Sequence, residues 1–283
     1  MPTRRAARTQ FLIFTLFGDY ILSREGWAWT GSLIRLLGLL GVSSQAVRST
    51  LSRMSRRRWL KRQREGRHSL YALTPKGRRL LEEGSQRIFE PRQQTWDGQW
   101  CVVVYSLPEH KRGLREALRR RLTWLGFGPL ASGTWISPHD RQAELGAMLD
   151  ELKARPYVQC FAGQRLSTLS NDDLVARCWD LDNLNRGYAA FLRRWKPELE
   201  HVRRQRATGE KFDASKCFVR RFWIVNEYSA FPRRDPNLPA ELLPEGWLGG
   251  EVAALFHELH GLLSEPANAF IDSTLRNGHA PDN

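Results

Sequence analysis

Apolar side chains recur along the chain in two rhythms, and the fold should change where the rhythm does. Over residues 32–57 the spacing is helical. Leu33, Leu36, Leu37 and Leu40 share one side of a helix over Ser32–Leu40, which Gly41 ends. Ser43 or Ser44 can cap a second helix from Gln45 to near Arg57, with Val47, Leu51 and Met54 on its inner side. Trp59–Gln63 and Ser69–Leu73 read as strands, and Gly66 between them supplies the positive φ that a tight hairpin needs. Thr74 and Pro75 then offer an N-cap and a first-turn proline for a further helix.

Residues 90–98 read as a linker, with Pro91 and Gly98 as breakers, and beyond them strands alternate with helices. Trp100–Tyr105 is a continuous apolar run, as in a buried strand. A helix over Lys111–Trp124 comes next, then strands at Phe127–Leu130 and Thr134–Ser137, a helix over Arg141–Ala154 and a strand at Tyr157–Phe161. The order β-α-β-β-α-β is the split βαβ pattern of a ferredoxin-like domain. From residue 170 the helical spacing returns. Helices are expected over Asn171–Leu184, Arg186–Trp195, Cys217–Ser229, Glu251–Ser264 and Ala267–Leu275, with proline-rich extended chain over Phe231–Pro239. The fold class is therefore α+β in three domains. Residues 1–90 form a winged helix-turn-helix, 91–168 a ferredoxin-like domain, and 169–283 a helical domain.

Charge changes the picture. The chain has 283 residues and a net charge of +14, yet residues 1–90 alone carry 18 basic and 6 acidic side chains. The rest is near neutral, so a basic head sits on a charge-balanced body, which points to a polyanion and first of all to nucleic acid. Four scattered cysteines at 101, 160, 178 and 217 read as reduced thiols, with Cys101 and Cys160 a buried pair on neighbouring strands. The basic and apolar start, Arg4 to Phe17, mimics a signal peptide but meets Gly18-Asp19-Tyr20 without a cleavage site, and no segment approaches the ~20 apolar residues of a membrane span. A cytoplasmic protein without a membrane contact is expected.

The second helix of the head carries the chemistry. Its outer side presents Ser43, Ser44, Gln45, Arg48, Ser49, Ser52, Arg53 and Arg56. A helix fits the major groove of double-stranded DNA, where Arg can bond guanine O6 and N7 and Gln adenine N6 and N7. Lys61, Arg62, Arg64, Arg67 and His68 would meet phosphates or the minor groove from the wing. One such helix covers few base pairs, so a homodimer reading an inverted repeat is expected. No catalytic residue, metal site or cofactor is expected. His257 and His260 are three apart, not the four of a zinc helix, and Asp97 and Asp140 are poorly placed for a metal-dependent nuclease on the central strands. In the last third, Arg193 with Trp195, and Arg220 and Arg221 with Trp223, could hold the phosphates and ring of a ligand.

The stretch Ser32-Leu-Ile-Arg-Leu-Leu-Gly-Leu-Leu-Gly-Val-Ser-Ser-Gln-Ala-Val-Arg-Ser-Thr-Leu-Ser-Arg-Met-Ser55 resembles the PaaX family of bacterial transcriptional repressors. So do Trp124-Leu-Gly-Phe-Gly128, Gly133-Thr-Trp-Ile-Ser-Pro138, Asp235-Pro-Asn-Leu-Pro239 and Leu242-Leu-Pro-Glu-Gly-Trp247, and the likeness spans residues 10–275. The resemblance implies a winged helix, a Cas2-like central domain and a helical C-terminal domain. It also implies a dimeric repressor of phenylacetate-type catabolic genes, released from DNA by an aryl-acetyl-coenzyme A, by default phenylacetyl-coenzyme A. A Cas2-like domain keeps a metal-dependent nuclease as the alternative from another class, and a DNA-binding protein without a ligand as a third. One departure stands out: Arg58 precedes Trp59 where the family pattern has Gly-Trp.

Overall fold

The computed structural model describes residues 4–81, 95–166, 170–232 and 234–276, so most of the expected linker lies outside the described residues. Helix α1 (Arg4–Leu16) passes into a π-helical turn over Phe17–Ile21, and Leu12, Ile13, Leu16, Phe17, Tyr20 and Ile21 are all buried. The apolar run that mimics a leader is thus core. Next in order come strand β1 (Trp27–Trp29), α2 (Thr30–Leu39), α3 (Ser44–Arg56), β2 (Leu60–Glu65), β3 (His68–Leu73) and α4 (described over residues 75–81). Leu33, Leu36 and Leu37 of α2, Leu40 just beyond it, and Val47, Leu51 and Met54 of α3 are buried as their spacing requires, together with Thr50.

Contacts divide the chain into two compact units, each assembled from separate stretches. One unites Met1–Glu90 with Leu192–Ser229 and Ala253–Asn283; the other unites Pro91–Phe191 with Ala230–Val252. The sequence-contiguous helical region expected over 169–283 is therefore shared between them. In the first unit α1 packs on α3 and on α9 (Ala214–Tyr228). Buried Ser32 donates through Oγ to the carbonyl of Thr274 at 3.0 Å, and Arg24 Nε meets Asp272 at 2.6 Å. Both partners lie on α10 (Gly249–Arg276).

The second unit is built on β4 (Trp100–Tyr105), α5 (Arg112–Trp124), β5 (Gly128–Ala131), β6 (Thr134–Ser137), α6 (Gln142–Glu151) and β7 (Val158–Gly163). The four strands are antiparallel in the order β5-β6-β4-β7, as the split βαβ pattern demands. One core gathers Val103 and Trp135 with Leu118 and Leu122 of α5 and Leu145 and Leu149 of α6. A second gathers Trp100 and Ile136 with Leu174, Val175 and Cys178 of α7 (Asn171–Cys178) and with Leu238 and Leu242.

Three helix boundaries differ from expectation. The helix expected over Asn171–Leu184 is two, because Trp179 is extended (φ −137°, ψ 137°) and Asp180 caps a new helix, accepting from Asn183 N at 3.1 Å. That new helix, α8 (Leu181–Ala207), does not stop near Trp195 but continues through Pro197. Buried Trp195, Leu199 and Val202 keep one inward stripe across the proline, so tertiary packing overrides its cost of roughly 3 kcal/mol. Likewise α10 runs through Pro266, with Leu263, Ala267 and Ile271 buried on either side. Among the described residues no helix is long and apolar enough to cross a membrane.

Candidate nucleic-acid interface

Two helix ends of the same design bracket α3. At the end of α2, Gly41 adopts φ 78° and donates to the carbonyl of Gly38, while Val42 N reaches back to Leu37 O at 3.0 Å. This is the Schellman closure, which turns the chain sharply at little cost because glycine has no Cβ. Ser43 then caps α3, its hydroxyl accepting from Ala46 N at 3.3 Å. At the far end, Arg58 N donates to Ser55 O at 2.9 Å and Trp59 N to Met54 O at 3.0 Å. The left-handed position in this second closure belongs to Arg58, at φ 57°. The departure noted in the sequence is therefore an arginine at a site where the backbone favours glycine.

The outer side of α3 is open. Ser43, Ser44, Gln45, Arg48, Ser49, Ser52 and Arg56 are exposed or half-exposed. Arg53 is half-buried and donates to Thr50 Oγ1 at 2.7 Å, which fixes its guanidinium near the helix. Ser43 is committed to the cap, and Ser49 Oγ donates to Ala46 O at 3.1 Å. No Asp or Glu occurs between Glu25 and Glu65, a span holding nine Lys and Arg. Sequence reasoning left out three of these, Arg35, Arg57 and Arg58, all exposed.

The hairpin divides its cations between two faces. Residues opposite one another in an antiparallel pair project to the same side. The register Arg62↔Tyr71 and Arg64↔Ser69 puts these two arginines on the face that Leu60, Tyr71 and Leu73 bury at its base. Arg62 Nε also donates to Ser69 Oγ at 3.0 Å. Lys61 pairs with Ala72, which pairs with Trp27 on β1, so the other face carries Lys61 Nζ 4.3 Å from the Trp27 ring centroid. His68 lies on that face too, edge-on to Trp29. Arg67 sits in the two-residue turn with Gly66, which adopts φ 59°. The five hairpin residues expected to meet DNA therefore do not form one surface.

The ligand residues expected in the last third are mostly engaged. Arg221 is turned inward: Nη2 meets Asp19 Oδ1 at 2.9 Å, with both side chains 6% exposed, and Nη1 donates to Asn268 Oδ1 at 3.1 Å. The expectation of a phosphate there is corrected, because the charge is already neutralised inside the protein. Arg220 Nε lies 2.6 Å from Glu198, and the buried Trp195 donates through Nε1 to Glu227 at 2.9 Å. Arg193 is exposed and Trp223 half-buried. The neighbouring Tyr20 phenol is held well above its ordinary pKa, by burial first and by Asp19 second.

His260 Nε2 lies 3.2 Å from Asp19 Oδ1, and among the described residues no three His, Cys, Asp or Glu side chains gather as metal ligands. Asp97 and Asp140 accept local backbone bonds from Gln99 and Gln142. Cys101 and Cys160 do fall on neighbouring strands, but β7 is a sheet edge and Cys160 is exposed, which corrects the expectation of a buried pair. Burial, then Cys160, pushes the Cys101 thiol up to about 11.

Three family models match the chain. They are "PaaX-like protein" over residues 8–77, "PaaX protein central Cas2-like domain" over 93–175 and "PaaX-like protein C-terminal domain" over 179–273. The chain is 32% identical over 263 residues to a protein named transcriptional repressor PaaX from Escherichia coli (strain K12), covering 92% of this chain and 82% of that one. Among solved structures, the uncharacterized protein Rv0674 from Mycobacterium tuberculosis has a similar fold, with a TM-score of 0.57 at 22% identity, covering 93% of this chain and 96% of that one.

Proposed function

The chain belongs to the PaaX family, and from that premise we propose that it is a sequence-specific DNA-binding repressor whose α2, α3 and β2–β3 hairpin form a winged helix-turn-helix. The observation that carries the reading is the outer side of α3, a polar and basic helix face beside a basic hairpin, with no carboxylate between Glu25 and Glu65. Helix α3 enters the major groove, with Gln45, Arg48, Ser49 and Ser52 at base edges, while Ser43 and Ser44 hold the helix start against the backbone. Arg62, Arg64 and Arg67 meet phosphates on one flank. Two copies related by a dyad read an inverted repeat, in the cytoplasm.

The repressor is released by an aryl-acetyl-coenzyme A, with phenylacetyl-coenzyme A the first to test, and controls an aromatic-acid catabolic operon. The effector need not touch DNA. It must bind better to a dimer whose recognition helices are misplaced, and a hundredfold preference, about 2.7 kcal/mol, suffices to empty most operators. Footprinting of the full chain on DNA upstream of its own operon tests the first half. A protected inverted repeat is expected, with the DNA left whole in Mg²⁺ or Mn²⁺; uniform protection without a preferred site refutes it. Titrating the complex with phenylacetyl-coenzyme A and other acyl-coenzyme A thioesters tests the second.

A further inference from the structure

We propose that the cleft between α5 and the β5–β6 hairpin binds a small phosphate-bearing organic anion. The cleft measures about 810 Å³, within the roughly 300–1,000 Å³ usual for sites that hold a cofactor-sized molecule. One wall is a single side of α5, where Arg112, Arg115 and Arg119 recur three and four residues apart. The three are not equivalent. Arg115 is committed, with Nη1 3.1 Å from Glu109 and Nη2 donating to the Leu107 carbonyl at 3.1 Å. Among the described residues, the guanidinium groups of Arg112 and Arg119 have no hydrogen-bond or ion-pair partner, although Glu116 lies between them on the same wall. Two helical turns separate them, about 10 Å along the axis. Each of these two guanidinium groups is a planar fork able to bond two phosphate oxygens at once, whereas the charge of Arg115 is balanced by Glu109.

The opposite wall is shaped for close approach. Gly133 adopts φ 75°, its carbonyl accepts from Tyr105 N at 2.8 Å, and a Cβ there would fall 2.4 Å from the Tyr105 carbonyl oxygen. Only glycine lets the hairpin tip lie this close to the end of β4, which fixes the position of that wall. Tyr105 and Trp135 complete the lining, with the indole Nε1 3.4 Å from the Tyr105 hydroxyl. The half-buried Tyr105 ring offers apolar surface to the part of the ligand that carries no phosphate, while Trp135, buried in the core, backs it. Glu116 can accept from a sugar hydroxyl or an amide.

This deepens the effector-controlled reading, on which it rests for its choice of probe, and places the ligand away from Arg220 and Trp223. Isothermal titration of the full chain uses phenylacetyl-coenzyme A and, separately, adenosine 3′,5′-bisphosphate. At least one is expected to bind, and Arg112→Glu and Arg119→Glu are expected to weaken it tenfold or more, whereas Arg220→Glu leaves it unchanged. Equal binding by wild type and both α5 variants overturns the site, even if the effector still releases DNA. Failure of both probes to bind wild type overturns it too, while a specific footprint would leave the DNA-binding reading standing. Loss of operator affinity in Arg119→Glu with probe binding intact would make the cleft a nucleic-acid face instead.

Discussion

Replacing Arg58 by glycine should make the protein more stable. The backbone there is left-handed, at φ 57°, and both flanking Schellman bonds are formed, so the conformation is imposed by the helix end and not by the side chain. A residue with a Cβ costs about 1–2 kcal/mol in that region. Glycine removes the cost but adds about 0.5 kcal/mol of freedom to the unfolded chain. The net gain is roughly 0.5–1.5 kcal/mol, or about 1–3 °C in melting temperature for a protein of this size. The Arg58 carbonyl accepts from Thr74 Oγ1 at 2.6 Å, a backbone bond that glycine retains. Arg58→Ala separates strain from charge, because it keeps the Cβ and loses the guanidinium. Thermal melts of wild type, Arg58→Ala and Arg58→Gly should therefore rank glycine first, with alanine near wild type. Equal melting of the two variants would refute the strain argument. If the arginine is retained for DNA, both variants should bind operator with a log–log salt slope shallower by about 1.

Arg48→Ala should cost about 1–3 kcal/mol of operator affinity and relax one base position, while Arg64→Ala should weaken all sequences alike and flatten the salt slope; competition against mutated operators distinguishes the two. Asp19→Ala leaves Arg221 buried without its carboxylate and should destabilise the protein by about 3–5 kcal/mol in a urea melt. A loss under about 1 kcal/mol would show that the pair is hydrated. Iodoacetamide at pH 8 should modify exposed Cys160 first and spare Cys101, whose thiol near 11 has about a hundredfold less thiolate than an ordinary one. Peptide mapping that finds the two equally fast would contradict that order. Raising the pH toward 10 should speed Cys101 about tenfold per unit.

Most of the head was legible because its helices are short, amphipathic and bounded by glycine or serine, so period and punctuation agree. Strand β1 was not, since Trp27-Ala-Trp29 is too brief to show a period and owes its pairing to β3, over forty residues on. The burial of Arg221 was partly legible. Cys217, Phe218, Phe222, Ile224 and Val225 form the buried stripe of α9, and Arg221 lies within that stripe, not opposite it. Helical phase alone argued against a solvent-facing phosphate fork. Its partner, Asp19, sits 202 residues away on a π-helical turn, and nothing local announces that meeting. The long helices failed for the converse reason: Pro197 and Pro266 are strong local breakers, but buried side chains on both flanks outweigh them.

The β2–β3 hairpin shows how strands read correctly from the sequence can still divide their charges in a way that counting misses. Four Lys and Arg and a histidine in eight residues look like one basic patch when only composition is counted. The period of two in a strand already separates Lys61 from Arg62 and Arg64, and the register confirms the split. Only the fold supplies the platform: Lys61 reaches Trp27 across Ala72, a residue small enough to let the ammonium lie over the indole. A cation held by an aromatic ring is less available to a phosphate, and the contact stabilises the hairpin by about 0.5–1 kcal/mol. Lys61→Ala should therefore lower the melting temperature slightly and leave the salt dependence of DNA binding near wild type. Arg64→Ala should do the reverse. Equal salt slopes for the two variants would mean that both wing faces reach the duplex.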